Sequence, residues 1–147
     1  MPEEKTIERA RKDKQEGKAP SSQAGEFVRE EIHHIREGKH GARSTKQAIA
    51  IGLSKARRAG VELPAPEPGQ ASSKTRRQAK SALKKGQSHE EPSPTRARAT
   101  KKALKREPQK AASKQALSRQ ARAAANKRSK AERSASARKA ARTRKKR

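Results

Sequence analysis

Lysine and arginine make up 41 of the 147 residues, against 15 aspartates and glutamates, and they come in clusters. Arg76-Arg77, Lys84-Lys85, Lys101-Lys102, Lys105-Arg106, Arg138-Lys139 and the closing Arg142, Arg144, Lys145, Lys146 and Arg147 are spaced mostly by Ala, Ser, Gln and Thr. Residues 65–147 carry a net charge of +22, residues 1–64 only +4. The chemistry open to such a segment is phosphate neutralisation. Each ammonium or guanidinium set against a polyanion releases condensed counterions, which gives binding that is tight at low salt and nearly blind to base sequence. Arginine, 20 of the 41, also enters narrow minor grooves. A lone aromatic, Phe27, leaves no platform on which single-stranded bases would stack. Nucleic acid is the expected partner, DNA ahead of RNA.

A second constellation sits near residue 44. Ser44 has the character of a helix N-cap, and Lys39, His40, Arg43 and Lys46 surround it. A helix N-terminus flanked by cations holds a phosphate through free amides and the helix dipole. Lys39, Arg43, Ser44 and Lys46 are therefore expected to position the chain on a backbone phosphate.

Other chemistries find less. The chain has no cysteine, hence no disulfide, thiolate ligand or thiol nucleophile. Of the four histidines, His33 and His34 are adjacent and face different ways on a helix, and His40 and His89 offer no ligand spacing. No metal and no cofactor are expected. Glu30-Glu31 and Glu90-Glu91 are expected on exposed or disordered ground, without a cleft to tune them. No nucleophile constellation or phosphate-cradling glycine loop is present, so neither catalysis nor a small-molecule substrate is expected.

The elements that must position these groups look sparse. Twenty-seven of the hydrophobic residues are alanine, and only 14 larger aliphatic or aromatic side chains remain. High charge with little bulk to bury predicts a mostly disordered chain with a small all-α helical hairpin and a conditionally helical tail. Residues 1–21 read as a charged, weakly helical, solvated segment. Residues 22–61 read as the hairpin. In its first helix Phe27, Val28, Ile32 and Ile35 share an arc that includes Glu31, and Gly38 stops it. In its second, Ser44 and Gln47 form a capping box, Ala48, Ile49, Gly52, Leu53, Ala56 and Ala59 share a face, and Gly60 with Val61 ends it in a Schellman-type turn. Gly52 implies a close approach of the first helix. Ile51 points off the arc and is a candidate contact for a second copy or another protein. Residues 62–73, with three prolines in five positions, form a linker. Residues 74–147 form the basic tail, cut by Pro92, Pro94 and Pro108 into helix-capable pieces. "KQA" and Ala-Leu-basic fragments recur in it at irregular spacing, as compositional drift rather than a solenoid.

The stretch "GEFVREEIHHIREGKHGARSTKQAIAIGLSKARRAGVELP" (25–64) resembles a family of small bacterial proteins with a domain of unknown function, marked by a Ser/Thr-x-Lys-Gln-Ala-Ile-Ala-Ile helix that ends in a basic-Ala-Gly cap. The tail is similar in style to bacterial linker-histone-like proteins, and "SPTR" (93–96) resembles their minor-groove elements. The resemblance implies a bacterial cytoplasmic, nucleoid-associated protein, with no activity and no site residues to carry over. The start has no apolar export segment and no run approaches the ~18 apolar residues of a membrane span, so no membrane contact is expected. The sequence thus predicts a linker-histone-like protein that neutralises and compacts DNA. Two alternatives remain open: an adaptor whose hairpin holds a protein partner while the tail localises it, and an RNA- or ribosome-associated basic protein.

Overall fold

Ser44 caps the helix that follows it, as its spacing requires: its hydroxyl oxygen accepts from the Gln47 amide at 3.2 Å. The Gln47 side chain turns back as expected, but its oxygen takes the Arg43 amide at 2.7 Å rather than that of Ser44. In the computed structural model, which describes residues 1–146, this helix is the third of seven. The order is α1 (Glu4–Gln15), α2 (Pro20–Arg36), α3 (Thr45–Arg58), α4 (Ser73–Gln87), α5 (Pro94–Leu104), a 3-10 turn (Gln109–Ala112), α6 (Lys114–Asn126) and α7 (Lys130–Lys145). Among the described residues there is no strand, and 70% of the chain is helical.

The hairpin forms as the periodicity predicts. Phe27, Ile32, Ile35 and Glu31 are buried on α2, Val28 half-buried, and Ala48, Gly52 and Ala56 are buried on α3. Gly38 and Gly60 both adopt positive φ, +74° and +91°, where a side chain would be strained. After Gly60 the Val61 amide reaches the Ala56 carbonyl at 3.0 Å and the Gly60 amide that of Arg57 at 3.2 Å, the paired bonds of a Schellman turn. A Cβ on Gly52 would lie 2.6 Å from the Val28 Cα, so the close approach of α2 is real.

The expectation of a mostly disordered chain is overturned. α1 is not merely solvated: it buries Thr6 and Ala10 against α2, and the Glu3 amide donates to Glu30 Oε2 at 3.1 Å. The tail is folded too. α4 lies along α3 and buries Ala79, Ala82 and Gly86; a Cβ on Gly86 would sit 1.9 Å from the Arg57 carbonyl oxygen. Ile51, expected to point outward, is half-buried in the groove between α3 and α4. From the end of α5 the chain returns to the hairpin loop, where the Gly41 and Ala42 amides donate to the carbonyls of Leu104 and Pro108 at 2.9 and 3.1 Å. The Thr45 hydroxyl donates to the Ala111 carbonyl at 2.7 Å, and the Arg36 Nε–H to that of Ala112 at 2.8 Å.

Two physical terms explain the difference. Alanine is itself the core: Ile32, Ile35, Ala42, Ala48, Ala111 and Ala112 form one cluster with Val28 and Leu117 against it, and Ala10, Ala24, Phe27, Ala56 and Val61 form the other with Ile7, Leu53 and Leu63. Counting only larger side chains misses surfaces that pack because they are small. Serine caps supply the second term. Ser72, Ser113 and Ser129 each accept from the amide three residues on, which satisfies one of the donors a helix start leaves open. Ser113 and Ser129 also divide the helix-capable piece after Pro108 into the 3-10 turn, α6 and α7. α5 and α7 bury nothing.

Glycine-to-alanine exchange tests this packing. A Cβ at Gly41 would lie 1.8 Å from the Glu107 carbonyl oxygen, whereas at Gly25, within α2, nothing lies within 4 Å. Gly41→Ala and Gly52→Ala are each expected to lose ~1–3 kcal/mol of stability through overpacking. Gly25→Ala should be neutral or gain up to ~1 kcal/mol of helix propensity. Urea unfolding of the three variants measures the contrast, and a Gly41→Ala variant as stable as Gly25→Ala would mean that segment 104–112 does not dock.

α7 offers a pH test. Glu132 accepts from the Ser129 amide at 2.6 Å, and this backbone hydrogen bond, ahead of the Ser129 side chain, holds its carboxyl below the ordinary value. A depressed value means a contribution present at neutral pH and lost as pH falls through the folded value. The Ser129 amide resonance is expected to titrate with Glu132, with faster exchange in the first turn of α7 on the acid side, and Glu132→Ala should abolish the response.

Candidate functional site

The ion pairs gather in the first part of the chain. Among residues 1–64, Arg9, Lys18, Lys39, Arg43 and Lys55 each have a carboxylate in ion-pair range. Arg9 lies 3.8 Å from Glu26, Lys39 is 3.0 Å from Glu37 and 3.7 Å from Glu3, and Lys55 is 2.6 Å from Glu31. The Glu37 hydrogen bond is the main reason the Lys39 ammonium holds its proton above the ordinary value. Arg57 is buried and donates to the carbonyls of Leu63 and Pro64, both at 3.0 Å, pinning the proline-rich segment. Burial alone pushes its guanidinium below the ordinary arginine value.

From residue 65 onward the pattern reverses. Among the described residues of this stretch only Lys85 has a carboxylate in ion-pair range, Glu90 at 3.3 Å. The expected phosphate ligands mostly lie open. Arg77 and Lys84 are exposed on α4, with Arg76 and Lys85 half-buried beside them. Lys101 and Lys102 occupy the last turn of α5, Lys105 and Arg106 follow it, and all four are exposed. Arg138, Lys139, Arg142, Arg144 and Lys145 project from α7, and Lys146 caps it. Arg147 lies outside the described residues. α7 buries none of its residues, and at 100° per residue Lys130, Arg133, Arg138, Lys139 and Arg142 fall at well-separated angles around it. Its cations cover about two-thirds of the circumference, and Glu132 lies in the remaining sector.

The cluster at residue 44 is assembled differently. Arg43, Ser44 and Lys46 are exposed around the start of α3, but Arg43 lies 3.9 Å from Glu107 and the 3-10 turn covers the flank at Thr45. The Ser44 hydroxyl is engaged in its own cap. The expected phosphate ligands also leave out α6, where Lys114, Ser118 and Arg122 recur every four residues and line a shallow groove with Gln115 and Arg119. That i, i+4 spacing is the sequence signal that marks them.

Glu30 and Glu31, expected on exposed or disordered ground, are the buried carboxylates of the molecule, 6% and 0% exposed. Glu31 Oε2 accepts from the Lys55 ammonium at 2.6 Å, and His40 Nε2 lies 3.2 Å from Glu31 Oε1. His34 Nε2 sits 3.0 Å from Glu3 Oε1, and this hydrogen bond is the main reason the Glu3 carboxyl is held below its ordinary value. His33, next in sequence, is exposed. Adjacent histidines do face different ways, but the loop after Gly38 brings His40 to His34, ring centroids 6.4 Å apart. No linear spacing rule would have paired them.

Residues 11–66 match a family of unknown function (DUF6496). The match runs from within α1 through α2 and α3 into the proline-rich segment; it covers Glu30, Glu31, His34 and His40 and leaves α4 to α7 outside. No curated protein and no solved structure matches the chain. No helix among the described residues is long and apolar enough to cross a membrane.

The Lys55–Glu31 pair joins α3 to α2 at the centre of this domain. Removing one partner leaves a buried charge, which costs more than removing both. Lys55→Met is expected to lose ~2–4 kcal/mol on denaturation, and adding Glu31→Gln should recover part of that loss. Additive losses would show that the two side chains do not interact.

Proposed function

We propose that the protein binds nucleic acid, double-stranded DNA first, as a linker-histone-like architectural protein that neutralises and compacts it without reading sequence. The observation that carries this reading is the open set of cations from residue 65 onward, fixed on helices with almost no acid beside them. A chain that carried these charges only for solubility would have little reason to gather them downstream, where residues 65–147 carry a net +22 and only Lys85, among the described residues, has an ion-pair partner.

α7 is the clearest element. A 16-residue helix is ~24 Å long, a length over which duplex DNA carries ~14 phosphate charges. α7 bears seven basic residues and one acid, so it neutralises up to half of the charge alongside it. Its cations spread over most of the circumference, which suits contact with phosphates and not base readout. α5 repeats the arrangement on a smaller scale with Arg96, Arg98, Lys101 and Lys102. Two exposed basic helices on one folded hub give the protein more than one duplex-binding surface, as bridging requires. The linker-histone-like character of the tail and a nucleoid location belong to the same proposal.

A salt titration of the full chain on a mixed-sequence duplex tests it. Replacing Arg138, Lys139, Arg142 and Arg144 by glutamine is expected to flatten the log–log salt dependence by ~3–4, at ~0.9 for each phosphate no longer neutralised. The change should be equal on AT-rich and GC-rich duplexes. An unchanged slope would move the binding surface off α7. Failure to bind at ~50 mM salt would end the reading altogether, and preference for duplex RNA over duplex DNA would replace it with the RNA alternative.

A further inference from the structure

We infer that Glu31, His34 and His40 form a binding site for a divalent cation of the zinc class, a property independent of the nucleic-acid reading. Each of the three offers one donor atom, and these atoms lie within 4.8 Å of one another. The set is two imidazoles and a carboxylate, the ligand types of zinc sites that keep a position open.

Three features beyond proximity point to a ligand. The first is orphaned oxygen. Glu31 uses Oε2 for Lys55 and Glu30 uses Oε2 for the Glu3 amide, yet Glu31 Oε1 and Glu30 Oε1 are buried with no hydrogen-bond partner. The side chains of Glu31 and Glu30 are 0% and 3% exposed. A buried carboxylate oxygen without a partner costs stability, and a cation bound there removes the cost. The second is the outer hydrogen bonds of the histidines. His40 Nδ1 is 3.0 Å from the Gly41 carbonyl oxygen, and His34 Nε2 is 3.0 Å from the Glu3 carboxylate. Both partners are acceptors, so in the neutral ring these nitrogens carry the proton and the other nitrogen keeps the lone pair that a metal ion needs. A backbone carbonyl on one histidine and a carboxylate on the other are the usual supports of metal-bound imidazole. His40 Nε2 lies 3.2 Å from Glu31 Oε1, close enough for one cation to take both atoms as ligands.

The third is charge. Glu3, Glu30 and Glu31 converge with Lys55 as the one inward cation, because Lys39 is held closest by Glu37. Three carboxylates and one ammonium leave −2, which a divalent ion cancels. Glu30 Oε1, 4.0 Å from His34 Nδ1, borders the site and is placed to complete it. Bound there, the ion would tie the loop before α3 to α2.

Cobalt(II), which follows zinc in coordination and absorbs visibly when four-coordinate, is the probe, with the full chain. The expected result is one equivalent bound, intense visible bands, displacement by zinc, and a higher melting temperature with zinc than with magnesium. His34→Gln and His40→Gln should each weaken cobalt affinity by at least ~10-fold, while His33→Gln and His89→Gln, on exposed residues, should not. Because the wild-type spectrum is read first, a variant that misfolds does not decide the matter. Absence of uptake by the wild type, or equal loss on replacing His33 or His89, overturns the site.

Discussion

Alanine methyl groups exclude water only when backbones come close, and that requirement shapes this fold. Each methyl withdrawn from water contributes at most ~0.8 kcal/mol, so a core of Ala24, Ala42, Ala48, Ala56, Ala111 and Ala112 depends on many contacts at short range. Glycine supplies the range. Gly52 admits the Val28 backbone to α3, Gly86 brings α4 onto the end of α3, and Gly41 lets the 107–108 carbonyls reach the hairpin loop. The last of these contacts closes the molecule, since the amides of Gly41 and Ala42 find their acceptors some sixty residues away. Without the docked downstream segment the loop amides and the faces of Ala42 and Ala48 would return to water. The hairpin and the tail are in this sense one structure.

Much of the hairpin was legible in the sequence because its signals are local. A capping serine, a glycine at positive φ and an arc of Phe27, Ile32 and Ile35 are each decided within a few residues. The downstream helices carried equally local signals in Ser72, Ser113 and Ser129, but composition argued against them. Charge and low bulk are averages over the chain, whereas packing is decided at particular positions such as Ala79, Ala82, Ala111 and Ala112, which are buried. Only part of the candidate sites was legible. The basic positions could be named one by one, yet which few of them are ion-paired depends on where the carboxylates fold. Glu31, correctly placed on the apolar arc, could be paired with Lys55 and His40 only once α3 had been laid against α2 and the loop turned.

The distribution of acid follows from the same geometry. Among the described residues, 10 of the 15 carboxylates lie in the first 64 positions, and several of them face inward or toward neighbouring helices. Repulsion among the downstream cations is kept tolerable by placing them on separate exposed helices. Screening at physiological salt acts over ~8 Å, so exposed cations on different helices repel weakly across solvent. An interior acid group also sits favourably in the field of a chain carrying +26.

Faces made of small residues have a weakness that the buried polar groups correct. Ala48, Gly52 and Ala56 present a nearly smooth stripe, and a smooth stripe allows one helix to slide along another with little change in buried area. Specific polar contacts do not slide. Lys55 meets Glu31 at 2.6 Å, and a shift of α3 by one turn, ~5.4 Å, would carry the ammonium away from a fully buried carboxylate. The penalty for stranding that charge exceeds what an alanine stripe regains by sliding. His40 does the same for the loop, which must turn at Gly38 for the ring to reach Glu31. Register in this domain is therefore set by its acids, and its closeness by its alanines and glycines. A basic chain with little bulk thereby obtains a single arrangement of its hairpin, on which the outward cations are held.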